Sequence, residues 1–170
     1  MKNSLASPIP MPRQSGFLLL ESLIALILFA LGILGLVGMQ ATAAKVAADA
    51  QYRAEASLFA DDIISQMRAS GNRFIEAEGI DDAKSVEENF KTGGAKYTNW
   101  LAKVNDPQTG IPGAVETPPA VEFTAAEVVT DTATGSKSKT LPVTITISWK
   151  GPGESVAHKL VTLTTLDFSE

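Results

Sequence analysis

The first part of the chain alternates little between polar and apolar positions and predicts a membrane helix. Residues 22–44 carry no charged side chain, and residues 23–39 are all apolar or Gly. As a helix, the uncharged stretch is about 34 Å long, enough to cross the roughly 30 Å of hydrocarbon in a bilayer. We therefore expect one membrane-spanning helix near the N-terminus.

The helical pattern continues beyond this span. Residues 41–70 contain neither Pro nor Gly and are rich in Ala, a strong helix former. An apolar stripe at helical spacing predicts a face that packs on a core. Its members are Ala56, Ala60, Ile63 and Met67. Lys45, Asp49 and Arg53 predict a solvated ladder of alternating charge, and Gly71 is expected to end the helix.

The region between residues 72 and 119 carries weaker patterns. Residues 96–104 place Tyr97, Trp100, Leu101 and Val104 at helical spacing, which predicts one short helix on the head. Residues 106–119 contain Pro and Gly and predict a loop. The acidic tract 76–88 lacks the alternating Asp and the Gly of a calcium loop, so it predicts a solvated face.

The last third of the chain has the two-residue period of β-strands. We expect strands over 121–129, 141–149 and 155–168, with a mobile basic loop at 135–139 between the first two. The apolar stretch 160–166 is expected to lie against the long helix. The predicted fold is α+β: a long N-terminal helix whose second half is packed by an antiparallel sheet of three or four strands.

Composition narrows the possible chemistry. The 170 residues include 14 Lys and Arg against 19 Asp and Glu, so the net charge is −5, and a basic nucleic-acid binder is excluded as the default. With no Cys and one His, His158, thiolate metal sites, disulfides and multi-histidine sites are excluded. His158 has no Ser-His-Asp pattern around it. We expect no catalytic residues, no cofactor, no metal and no enzymatic activity.

Two features at the N-terminus need separate interpretation. A secretory signal peptide could align its cleavage site with Ala41-Thr42-Ala43, but the apolar core exceeds the usual length of about 7–15 residues. Glu21 lies at the start of the apolar run. A carboxylate near the bilayer is costly to insert, by up to about 3 kcal/mol when it lies at the middle of a span. The plainer interpretation of Glu21 is a helix-start residue favoured by the helix dipole.

The string Gly16-Phe17-Leu18-Leu19-Leu20-Glu21, followed by the apolar run, resembles the class III signal of type IV pilins and type II secretion pseudopilins. The resemblance implies cleavage between Gly16 and Phe17 by a prepilin peptidase, N-methylation of Phe17, and a role for Glu21 in filament assembly. The chemistry is intelligible, because Gly lets a protease approach the backbone closely. The cut also leaves an ammonium near a carboxylate, and opposite charges attract strongly at low dielectric.

Further strings resemble the V-type minor pilins. They are residues 31–40, residues 58–69 with their Met-Arg-Ala ending, and Trp100 followed by residues 110–113. Gly32, Gly35 and Gly38 within the first string form a stripe that permits close helix packing. The alternative is that Gly is simply commoner in membrane helices than in soluble ones.

The resemblance implies a structural minor pilin of a type IV pilus. Its parts would be a cytoplasmic leader (1–16), a transmembrane and assembly helix (17–44), a helix continuing into the head (45–70) and a globular α+β head (71–170). Its partners would be other minor and major pilins, prepilin peptidase and the inner-membrane assembly machinery. The sequence demonstrates no nucleic-acid partner. It would lie in the inner membrane with its head in the periplasm, and in the filament.

Two alternatives remain open on the sequence. One is a type II secretion pseudopilin of the I type, and the other is a membrane-anchored extracytoplasmic binding protein. The absence of Cys departs from many pilins, which close a C-terminal loop with a disulfide, and makes a major adhesive pilin less consistent with this chain.

Overall fold

A computed structural model describes residues 15–169. The chain is divided into two compact units, with the boundary between Val46 and Ala47. The long helix α1 spans Ser15–Ala69, and the shorter helices are α2 (Asp82–Phe90) and α3 (Ala95–Val104). A small antiparallel sheet follows. The predicted α+β class, with a long apolar N-terminal helix, is confirmed.

Within the described residues, the first unit consists of the apolar part of α1. Every side chain from Phe17 to Val46 is exposed. The most apolar 18-residue window of this helix has a mean hydropathy of 2.7. By length and composition, the helix is able to cross a membrane.

In the second unit, the predicted stripe of α1 lies in the core. Its four members, Ala56, Ala60, Ile63 and Met67, are at most 1% exposed. Helix α3 packs on the same segment. There the buried Trp100 donates a hydrogen bond from its indole N–H to the carbonyl of Phe59 at 3.0 Å. Both the stripe and α3 were predicted from helical spacing, and both predictions are confirmed.

Helix α1 ends at Ala69, one residue before the predicted end, and Gly71 follows with φ of 150°. A Cβ at Gly71 would lie 2.5 Å from Oδ2 of Asp82. That carboxylate is held in place, since it accepts a hydrogen bond from the backbone N–H of Arg73 at 2.9 Å. Glycine is therefore required at this position by both its φ angle and its neighbour.

The prediction of one short helix between residues 72 and 119 was wrong, because the structure has two. A small hairpin of β1 (Phe74–Ile75) and β2 (Ile80–Asp81), joined by a 3₁₀ turn, leads directly into α2. Only Ala83, Val86 and Phe90 of α2 are buried. Three apolar residues in an acidic segment are too few to show a helical period, although the Asp81 carboxylate caps the helix by accepting from Lys84 N at 3.1 Å.

The main sheet is built around its longest strand. It contains β3 (Ala120–Phe123), β4 (Glu127–Thr130), β5 (Lys137–Trp149) and β6 (His158–Ser169). Strand β5 pairs with β3 and β4 along one side and with β6 along the other, always antiparallel. One face of β5 is buried, in agreement with the two-residue period of its sequence. Its buried side chains are Leu141, Val143, Ile145, Ile147 and Trp149.

The predicted single strand over 121–129 is two strands, which is a correction. Phe123 pairs with Val143 and Glu127 with Thr140, so three residues on one strand oppose two on β5. This bulge faces Pro142, which has no N–H to donate to a neighbouring strand. The backbone N–H of Thr124 instead donates to the Pro142 carbonyl at 3.0 Å.

The predicted mobile basic loop at 135–139 was also wrong in part. Lys137 and Lys139 belong to β5 and form ion pairs with Glu76 and Asp81 respectively. The Lys139 Nζ lies 2.6 Å from Asp81 Oδ2. These lysines attach the β1–β2 hairpin to the sheet.

The apolar stretch 160–166 was expected to lie against α1, and it is buried only in part. Leu166 is buried and Leu160 packs partly against the core, whereas Leu163 is 75% exposed. A strand turns successive side chains to opposite faces, so the apolar residues of this stretch cannot all be buried when one face of the sheet is open.

Candidate functional site

The proposed processing region lies at the beginning of α1. Gly16 and Phe17 are both helical, and Phe17, Leu20, Glu21 and Ile24 line one shallow groove along the helix surface. Phe17 and Glu21 are separated by one helical turn and therefore lie on the same face. The predicted leader, except for its last two residues, lies outside the described residues.

Glu21 differs in its bonding from the two hydroxyl side chains of the apolar part of α1, Ser22 and Thr42. Ser22 Oγ donates to the Leu18 carbonyl at 2.7 Å, and Thr42 Oγ1 donates to the Gly38 carbonyl at 3.1 Å. Such bonds satisfy hydroxyls within their own helix, which suits a lipid environment. In the part of the chain that the structure describes, no hydrogen bond or ion pair reaches the Glu21 carboxylate. It is the only charge between residues 15 and 44.

The predicted glycine stripe packs against no other described part of the chain. Gly32, Gly35 and Gly38 are exposed, and a Cβ placed on any of them would meet no atom within 4 Å. The space beside these glycines is therefore open to a neighbouring helix.

The acidic tract 76–88 is used for internal attachment rather than left as a purely solvated face. Asp81 caps α2 and pairs with Lys139, Asp82 holds Arg73, and Glu76 pairs with Lys137. Burial alone would raise the pKa of Asp81, but the hydrogen bonds from Lys139 and Lys84 and the charges of both lysines hold it below its usual value of 3.8. Among the described residues, no group of three or more Asp, Glu or His side chains is arranged to hold a metal ion.

Sequence analysis missed a polar cluster that joins α1 to the sheet. Asp49, predicted as part of a solvated ladder, accepts a hydrogen bond from the Trp149 indole N–H at 2.8 Å. His158 stacks on Trp149 and lies between two carboxylates, with Nδ1 3.6 Å from Asp49 Oδ1 and Nε2 3.2 Å from Glu154 Oε2. Asp49 and Trp149 are 100 positions apart, so no local pattern could have revealed the contact.

The contacts of this cluster connect separate parts of the second unit. The imidazole has a carboxylate on each side, and its ring covers the indole. Its polar contacts join α1, β5 and the segment that leads into β6. We interpret it as a structural connection within the second unit.

Comparison with protein families, curated proteins and solved structures finds no match for this chain.

Proposed function

We propose that this chain is a minor pilin subunit of a type IV pilus. A prepilin peptidase would cut between Gly16 and Phe17, and the new amino group of Phe17 would be N-methylated. The protein would be held in the inner membrane by the apolar part of α1, with its head in the periplasm, before it enters the filament. Its role would be structural and would need no catalytic group, metal or cofactor of its own.

The observation that carries this proposal is the isolated carboxylate of Glu21. It lies one turn from Phe17 on a helix surface that is otherwise apolar and exposed. Within the described residues it has no bonding partner, although a charge in or near a bilayer is costly. A positive charge supplied by another molecule, such as the Phe17 ammonium of a neighbouring subunit, would offset that cost.

The exposed side chains of the first unit fit the same interpretation. Apolar residues from Phe17 to Met39 are exposed all round the helix, so lipid or other apolar helices must cover them. In the proposed pathway, lipid covers them before assembly and helices of other minor and major pilins cover them afterwards. The three exposed glycines would let those helices approach closely.

The test is the N-terminus of the protein isolated from its own cells, read by mass spectrometry. A start at N-methyl-Phe17 supports the proposal. A start at Ala44 would indicate a secretory signal peptide, and an intact Met1 would indicate a plain membrane anchor.

A variant at the cleavage site provides the control. Gly16→Val adds a branched side chain where the peptidase must approach the backbone, so the precursor should accumulate uncut in the membrane. Protein that still begins at Phe17 in this variant would contradict the class III interpretation.

A further inference from the structure

We propose that protonation of His158 fastens α1 to the turn that joins β5 to β6 and that loss of this proton releases them. The imidazole lies between two carboxylates, with Nδ1 3.6 Å from Asp49 Oδ1 and Nε2 3.2 Å from Glu154 Oε2. Asp49 belongs to α1, and Glu154 belongs to residues 150–157, the β5–β6 turn. We call this pair of contacts the His158 clasp. It lies within the second unit and does not depend on assembly into a pilus.

Trp149 holds the imidazole in its place. The two rings are stacked with an interplanar angle of 14°, and their centroids are 5.8 Å apart. The buried Trp149 also donates a hydrogen bond from its indole N–H to Asp49 Oδ1 at 2.8 Å. Since Trp149 and His158 pair across the two strands, the register of the sheet places the imidazole beside Asp49.

The turn positions the second carboxylate. Glu154 Oε2 accepts a hydrogen bond from the backbone N–H of Gly151 at 3.1 Å, and the Glu154 N–H donates to the Gly151 carbonyl at 3.1 Å. The Glu154 side chain is 13% exposed. A charge that is partly shielded from water interacts more strongly with a neighbouring charge than a fully exposed one does. The turn therefore presents a fixed negative charge to Nε2 of His158.

The charge of the imidazole decides how the cluster is bonded. A neutral imidazole has one N–H and one lone pair, so one of its nitrogens would turn a lone pair toward a carboxylate oxygen. An imidazolium has an N–H on both nitrogens, and its positive charge attracts both carboxylates. One of the two contacts is therefore unfavourable in the neutral form, whereas both are favourable in the protonated form.

The other charged residues around the cluster are basic. Lysine and arginine have no acceptor and cannot replace the carboxylates, and their positive charge opposes a proton on the imidazole. The clasp therefore depends on Asp49 and Glu154. The basic residues are Lys45 and Arg53, one helical turn before and after Asp49 on α1, Lys150 at the start of the turn, and Lys159, which follows His158 on β6 and points to the opposite face.

The clasp acts on a part of α1 that has little apolar attachment. No side chain from 47 to 55 is buried, and Tyr52 packs only partly against the core. Among the described residues, the first buried side chain of α1 is Ala56, about two helical turns beyond Asp49. Loss of the proton should therefore loosen this part of α1 and the β5–β6 turn from each other, while the helix from Ala56 onward stays packed.

The chemistry of the three groups defines a pH range. Free carboxyl groups are ionised above about pH 4.5, and free imidazole takes up a proton below about pH 6.5. Because the protonated ring binds both carboxylates, the stability that His158 contributes is present at about pH 5.5 and is lost as the pH rises toward about pH 8.

The first experiment measures urea unfolding of the untagged full chain in detergent micelles, in which His158 is the single histidine. The unmodified chain and His158→Gln are compared at about pH 5.5 and about pH 8. The substitution should raise the unfolding equilibrium constant about fivefold more at the lower pH, the effect expected of two partly exposed ion pairs. An equal effect at both pH values would overturn the proposal.

The matched control removes both negative charges and keeps their acceptor oxygens. Asp49→Asn retains an oxygen for the Trp149 N–H, and Glu154→Gln retains one for the Gly151 N–H. In a chain that carries both changes, His158→Gln should have the same effect at both pH values. A pH difference that persists there would show that the carboxylates are not its cause, and the proposal would be wrong.

Amide hydrogen exchange shows whether the turn is the part that is released. The amides of Gly151 and Glu154 both donate hydrogen bonds within the turn, so their protection reports its opening. After correction for the intrinsic exchange rate at each pH, protection in the unmodified chain should be about fivefold higher at about pH 5.5 than at about pH 8. In the Asp49→Asn, Glu154→Gln chain it should be equal. Equal protection in the unmodified chain would contradict the clasp.

Discussion

Glu21 is a carboxylate on an apolar helix surface, one turn after Phe17, and its proposed role makes a specific prediction. Glu21→Ala should leave leader cleavage unchanged, because the residue lies beyond the Gly16–Phe17 bond. It should reduce entry into the filament, because an unpaired Phe17 ammonium among apolar helices is destabilising by roughly 3–5 kcal/mol. The measurement compares the amount of this protein in sheared filaments with the amount in the membrane.

Glu21→Gln is the matched control, since it keeps the shape of the side chain and removes its charge. The variant should also be depleted from filaments if charge pairing is the cause. Normal amounts of the Ala variant in sheared filaments would return Glu21 to the role of a helix-start residue.

Asp81 provides a prediction about pH. Its pKa is lowered in the folded protein by Lys139 and Lys84, so its ionised form stabilises the fold. The contribution is complete above the unfolded pKa and is lost as the pH falls through the lower, folded pKa. Asp81→Asn should therefore cost about 1 kcal/mol at neutral pH and progressively less below about pH 4.

The measurement is urea unfolding of the full chain in detergent, followed by the fluorescence of the buried Trp100 and Trp149. Glu116→Gln serves as the control, because this exposed carboxylate has no ion pair or hydrogen bond among the described residues. A cost of Asp81→Asn that stays constant from neutral pH to pH 3 would show that the charge of Asp81 is not what stabilises the fold.

At the scale of elements, the second half of α1 has one buried and one exposed face, and two substitutions separate them. Met67 is fully buried, so Met67→Ala should destabilise the second unit by about 2–5 kcal/mol. Leu58 lies on the same helix but is 68% exposed, so Leu58→Ala should change stability by less than about 0.5 kcal/mol. The same fluorescence-detected unfolding measures both variants, and equal losses would mean that the helix does not pack through the stripe.

At the scale of the whole molecule, the core belongs to the second unit. All buried apolar side chains among the described residues lie between Ala56 and Phe168. A fragment of residues 47–170 should therefore fold without the apolar part of α1 and remain monomeric, with helix and strand signals in circular dichroism. A fragment of residues 71–170 lacks the helix stripe and should aggregate or lose cooperative unfolding. If the longer fragment behaves in the same way, the second unit does not fold independently.

Features that depend on neighbouring residues in the chain could be predicted from the sequence. The uncharged run, the helical stripe of α1, the spacing in α3 and the alternation in β5 each reflect a segment's own burial period, so they could be predicted. The string from Gly16 to Glu21 was also visible in the sequence, and its interpretation as a processing signal stays a prediction. The structure added that Glu21 has no bonding partner among the described residues.

The contacts between distant segments could be seen only in the tertiary structure. Residues far apart in sequence meet in the ion pairs of Lys137 and Lys139 and in the contact of Asp49 with Trp149. The break between β3 and β4 also depends on their pairing with the segment around Pro142. The exposure of Leu163 likewise depends on β6 being the last strand of its sheet. Local patterns report backbone conformation and the period of burial, whereas strand order and charge pairing arise only when the whole second unit packs, and no single segment encodes them.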